Sequence, residues 1–130
     1  MIVDTSAIVA ILGDEPEARK YYELIKASSL SYLPAPLFLE LCMVVISGRS
    51  PDAEYEVLSV IEELGIKLIE FTPTMAKVAT KSFIKYGKGR GHPAQLNFGD
   101  CISYATSKVE AMPLLFKGDD FRLTDVEAAL

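Results

Sequence analysis

The chain has 130 residues, half of them apolar and 24% charged, with 18 acidic against 13 basic side chains and a net charge of −5. That length gives one domain with a real core and excludes two, and the composition is that of a folded chain rather than a disordered one. No apolar run approaches the roughly 20 residues that span a bilayer, and the start "MIVD" has neither the basic segment nor the cleavage site of a signal peptide, so a cytoplasmic protein with no membrane contact is expected.

"MIVD" reads as a short apolar strand that stops at Asp4, and "TSAIVAIL" follows at once with helical character. Asp14 and Pro16 mark the start of a second helix, Asp as a cap and Pro in the first turn, which carries "EARKYYELIKA". "LSYL" is a second strand, Pro34 and Pro36 punctuate, and "LFLELCMVVISG" is predicted to be a largely buried helix ending at Gly48. Ser50-Pro51 opens a further helix, with Val57, Leu58, Ile61 and Leu64 at helical spacing and Gly65 as its stop. "IKLIEF" is a strand, and Thr72-Pro73 starts a helix that runs to about Tyr86. The glycine-rich loop "GKGRGHPAQLN" leads to a helix from near Gly99 to near Ala111, and "PLLF" is the last strand. This alternation predicts an α/β fold with a mainly parallel sheet flanked by helices. The unbroken apolar runs "MIV" and "PLLF" suit strands buried on both faces.

Ligands of such sheets bind beyond the carboxyl ends of the strands. Asp4 sits at one such end, and Asp119 and Asp120 of "GDDF" lie just past another. Two further acids have unusual surroundings. Glu40 interrupts the apolar run "PLFLELCMVVI", where a carboxylate is costly unless paired or bound to a cation. Asp100 opens the helix of "NFGDCISYA". Each has an ordinary explanation: Asp4 as a helix cap, Asp100 as a first-turn acid favoured by the helix dipole, Glu40 on a solvent stripe, and Gly-Asp-Asp as turn chemistry. As a set they suit metal-assisted phosphodiester hydrolysis, because carboxylate oxygens are hard ligands for Mg²⁺ or Mn²⁺. Zinc is excluded by a single histidine, His92, and by cysteines without ligand spacing. Cys42 and Cys101 read as buried thiols. No Gly-x-Ser-x-Gly motif or Cys/His arrangement supports a nucleophilic triad, and "GKGRG" lacks the Lys-Ser/Thr of a P-loop.

The stretches "MIVDTSAIVAIL", "LELCMVV", "YGKGRGHPAQLNFGDCISYA" and "PLLFKGDDFRLTDV", in this order and spacing, resemble the PIN-domain ribonucleases, and specifically the VapC-type toxins of toxin–antitoxin pairs. The resemblance covers nearly the whole chain. It implies a three-layer sandwich with a parallel central sheet, and an acidic pocket that holds Mg²⁺ or Mn²⁺ to cleave RNA. By the resemblance, Asp4 and Asp100 match the principal metal-binding aspartates and Glu40 the glutamate of the buried helix. Asp120 matches the fourth acid, with Asp119 as the alternative. Thr5 and Ser6 would then orient Asp4 or an ion-bound water. Gly91 between Arg90 and His92 departs from the commoner spacing in that family.

The acidic total conceals a local concentration of opposite sign. Lys85, Lys88, Arg90 and His92 cluster in and beside the loop that leads to Asp100, where Lys88, Arg90 and His92 are candidate contacts to substrate phosphates. The resemblance also implies a cognate antitoxin and a homodimer, and the apolar surplus of "YYELI" and "FLELCMVVI" fits both. The readings that compete with a toxin endoribonuclease are a non-catalytic PIN-like module that binds RNA or protein, and an RNA-processing or DNA-directed nuclease of the same fold. An intact set of four acids favours catalysis.

Overall fold

The computed structural model describes residues 1–48 and 52–130, so the helix start expected at Ser50-Pro51 lies outside the described residues. Four strands, β1 (Ile2–Val3), β2 (Ser31–Pro34), β3 (Ile66–Ile69) and β4 (Leu114–Leu115), form one sheet in the order β3-β2-β1-β4. Every neighbouring pair is parallel. Around the sheet lie α1 (Thr5–Leu12), α2 (Ala18–Ala27), α3 (Ala35–Gly48), α4 (Ala53–Leu64), α5 (Pro73–Tyr86) and α6 (Phe98–Glu110), with a short 3₁₀ turn at Asp120–Leu123.

The two-residue period of a strand divides the core between the two faces. Ile2 packs with Tyr86, Leu96, Tyr104, Leu114 and Phe121, while its neighbour Val3 packs with Ala7, Ile8, Leu33, Leu37 and Leu115. Leu114 and Leu115 divide in the same way. Each fully buried aliphatic side chain of this kind contributes about 1.5–3 kcal/mol. β1 is central and β4 ends the sheet, its outer side covered by the C-terminal segment through the Leu114 N–H to Glu127 O and the Ala129 N–H to Leu114 O. Both are apolar throughout, and their parallel pairing brings the residues after Val3 and after Leu115 to the carboxyl edge of the sheet. α5 and α6 run antiparallel, since Met75 Sδ lies 3.9 Å from Thr106 Oγ1 at one end and Ser82 lies against Cys101 nearer the start of α6.

Local signals set several element ends as expected. The Thr72 side chain accepts from the Met75 N–H with Pro73 following, and Gly65 closes α4 in the left-handed region at φ 68°. Cys42 and Cys101 are buried free thiols.

Two expectations are corrected. α2 begins at Ala18, past Pro16, because Asp14 occupies a turn at φ 49° instead of capping. The Lys117 ammonium pairs with Glu15 and Glu17 and holds that turn to the end of β4. α3 is not largely buried either. It turns Leu37, Leu41, Cys42 and Val45 inward, while Leu39, Met43 and Val44 are more than half exposed. A helix apolar on every side has only one side to give to a single sheet face, and nothing else among the described residues covers as much as half of Leu39, Met43 or Val44.

Candidate active site

Asp4 follows β1 directly and is 4% exposed. Its backbone N–H still belongs to the sheet, donating to Leu115 O at 2.9 Å, while its side chain caps α1. The Ser6 N–H and Oγ donate to Oδ2 at 2.9 and 2.5 Å, and Ser103 Oγ of α6 donates to Oδ1 at 2.5 Å. Capping and site geometry thus coincide in one carboxylate. Ser6 Oγ in turn accepts from the Lys117 N–H at 3.0 Å, which joins the start of α1 to the segment that carries Asp119 and Asp120.

Asp100 stands in the first turn of α6 as half of a capping box: its Oδ2 accepts from the Asn97 N–H at 2.8 Å, and Asn97 Oδ1 accepts from the Asp100 N–H at 2.9 Å. Its pKa is pushed up to about 6, first by burial and then by the charges of Asp4, Asp120 and Glu40, with the Asn97 N–H opposing. Glu40 reaches the same place from α3. Its Oε2 accepts from Thr5 Oγ1 at 3.3 Å, and burial, followed by the Asp4 charge, raises its pKa. The Glu40 carboxylate lies against Gly99, where an added Cβ would meet its oxygens at 2.8 and 3.0 Å.

Asp120 is exposed at the start of the 3₁₀ turn, and its charge is felt at Asp100. The Asp119 carboxylate is turned to solvent, 3.9 Å from Arg122 Nε. The structure therefore gathers Asp4, Glu40 and Asp120 electrostatically around Asp100 and leaves Asp119 outside.

Lys88 and Arg90 are exposed. His92 is engaged locally, with Nδ1 accepting from the Ala94 N–H at 3.1 Å and its ring edge-on to Tyr86 at 4.8 Å. The loop legs are zipped by the Lys88 N–H to Leu96 O and the Leu96 N–H to Tyr86 O, both 2.9 Å. Lys88 is thus held next to the residue that precedes Asn97 and Asp100.

Ser103 and Gly99 are site residues that reading the sequence missed. They lie four apart, on one face of α6, and both are small. That pattern is visible in "GDCIS" once Asp100 is suspected, but what faces it is not.

Among the described residues, no three His, Cys, Asp or Glu side chains are disposed to enclose an ion by themselves. The donor chemistry nevertheless fits a hard divalent cation that keeps several waters and takes few direct protein ligands. A positive charge among these carboxylates would offset both the burial and the repulsion that lift Asp100 and Glu40.

The PIN domain family model matches residues 1–127. Ribonuclease VapC42 of Mycobacterium tuberculosis is 42% identical over 129 residues, covering 99% of this chain and 98% of that protein. Among solved structures, the sarcin-ricin loop cleaving toxin VapC20 of M. tuberculosis superposes with a TM-score of 0.72 at 16% identity, covering 98% of this chain and 97% of that one. A toxin–antitoxin complex from Klebsiella pneumoniae gives a TM-score of 0.70 at 16% identity, over 92% and 88% of the two chains.

Proposed function

The chain belongs to the PIN-domain family, with VapC ribonucleases as full-length relatives, and on that premise we propose that it is the endoribonuclease of a toxin–antitoxin pair and uses Mg²⁺ or Mn²⁺ held by Asp4 and Asp100. The observation that carries this reading is the gathering of acids from the ends of β1 and β4, from α3 and from α6 around one partly buried aspartate. A stable core has no use for such repulsion unless a cation balances it.

The ion, when bound, supplies acidification of water and stabilisation of charge on the phosphoryl group. The chain's own residues prepare the place. Ser6 and Ser103 fix both oxygens of Asp4, and the Asn97 N–H fixes one oxygen of Asp100, so neither carboxylate has to reorganise. Thr5 orients Glu40, and Gly99 gives it room. Asp120, on a turn, acts at longer reach as the fourth acid. Lys88, Arg90 and His92 are the contacts proposed for substrate phosphates.

The partners follow from the outer face of α3. Leu39, Met43, Val44 and the 82%-exposed Phe98 surround a cleft of about 730 Å³ that Glu40 also lines. An apolar patch this close to a charged site supports both a homodimer and an antitoxin that covers the acids. Among the described residues no helix is long and apolar enough to cross a membrane.

The test is cleavage of a long RNA by the wild-type chain with Mg²⁺ or Mn²⁺, with EDTA, and by Asp100→Asn. Cleavage that survives both EDTA and the substitution would remove the metal and the aspartate from the reaction.

A further inference from the structure

From Pro73 to Asn97 the sequence contains no Asp or Glu but five of the chain's 13 lysines and arginines: Lys77, Lys81, Lys85, Lys88 and Arg90. In a protein of net charge −5 that segregation is strong. All five are exposed, and none is ion-paired with a described residue. Lys77, Lys81 and Lys85 recur every four residues on α5, so they line one face at steps of about 6 Å of helix rise, comparable to the spacing of phosphates along an extended strand. Met75, Ser82 and Tyr86 face the core, which turns this face outward. Because α5 and α6 are antiparallel, Lys85 and Lys88 lie toward the Asp100 end of the pair, and Lys81 and Lys77 lead away from it. Lys85 is steadied over the Tyr86 ring at 4.7 Å.

We infer that the α5 face of Lys77, Lys81 and Lys85 is a backbone-binding track for single-stranded RNA, holding phosphates beyond the scissile bond and feeding the strand past Lys88 and Arg90 to the acids. The inference rests on the ribonuclease reading and extends it to the length of RNA engaged. The track's three lysines contact phosphates rather than base edges, so it binds without regard to sequence. It also offsets the repulsion that a polyanion meets on approaching an acidic chain.

The test measures binding of a labelled single-stranded RNA, long enough to cover both the acids and α5, to the full chain carrying Asp100→Asn so that the probe is not cut. Affinity is followed over a series of salt concentrations. Adding Lys77→Gln and Lys81→Gln should flatten the slope of log K against log salt by roughly 1.4, about 0.7 for each lysine removed. The exposed lysines Lys20 and Lys26 of α2, exchanged in the same way, change net charge equally but sit on a helix that packs against the other face of the sheet and should leave the slope as it was. Equal flattening by both pairs would reduce the effect to net charge and overturn the track, and so would no flattening by either. A variant that keeps its RNA slope but no longer captures a co-expressed antitoxin would also overturn it and assign the face to protein. Cleavage by the unsubstituted chain is scored separately. No cleavage with Mg²⁺ or Mn²⁺, together with a slope that depends on Lys77 and Lys81, would sink the ribonuclease reading and keep the track.

Discussion

Ser103 Oγ lies 2.5 Å from Asp4 Oδ1 and joins α6 to the end of β1 across 99 positions of sequence. Both residues are buried, so the bond fixes the distance between the two elements that carry Asp4 and Asp100.

Ser103→Ala leaves a buried carboxylate oxygen without its donor. A hydrogen bond to a charged group is worth about 1.5–3 kcal/mol, so the melting temperature should fall, and RNA cleavage should fall with it as Asp4 loses its fixed orientation. Unchanged melting and unchanged cleavage would mean that the bond does not form in solution.

Gly99→Ala separates position from stability. The new Cβ would press on the Glu40 oxygens, the far end of a flexible side chain that moves cheaply, and Ala gains up to about 1 kcal/mol over Gly within a helix. Melting should hold or rise while cleavage drops. Full activity would show that Glu40 need not sit where it does.

Asp100 has a folded pKa of about 6 against an ordinary 3.8. Between those values the native state keeps a proton that the unfolded chain releases, so the stability tied to this group is present below about pH 4 and lost as pH rises to about 6. Glu40, raised by burial and Asp4, acts in the same sense. In EDTA, Asp100→Asn should melt above wild type by a margin that widens over this range, and Mn²⁺ should narrow it by stabilising wild type. A margin independent of pH would place Asp100 in open solvent, away from the other acids.

Asp120→Ala should cut cleavage at limiting Mg²⁺ or Mn²⁺ far more than Asp119→Ala. The charge of Asp120 reaches Asp100, whereas Asp119 faces solvent and Arg122. The reverse order would exchange their roles, and two negligible losses would leave "GDDF" as a turn.

Much of this molecule is decided by residues close together in sequence. Runs such as "MIV" and "PLL" suit strands buried on both faces, because side chains of both faces are apolar. Thr72-Pro73 and Gly65 set helix ends through bonds and backbone angles within a few residues. Asp4 and the Asp119/Asp120 pair stand out because they follow the carboxyl ends of apolar strands, and Glu40 and Asp100 because a carboxylate among apolar residues is costly wherever the chain goes. What those carboxylates face was settled only by packing. Nothing local pairs Asp4 with Ser103, sets Glu40 on Gly99, or brings the charge of Asp120 within reach of Asp100. The turn of Asp14 that delays α2 is met by Lys117, which reaches Glu15 and Glu17 from the far end of the chain. The open side of α3 escaped the sequence for the same reason. Periodicity marks a face as apolar, but whether that face is covered depends on which other elements the topology brings against it.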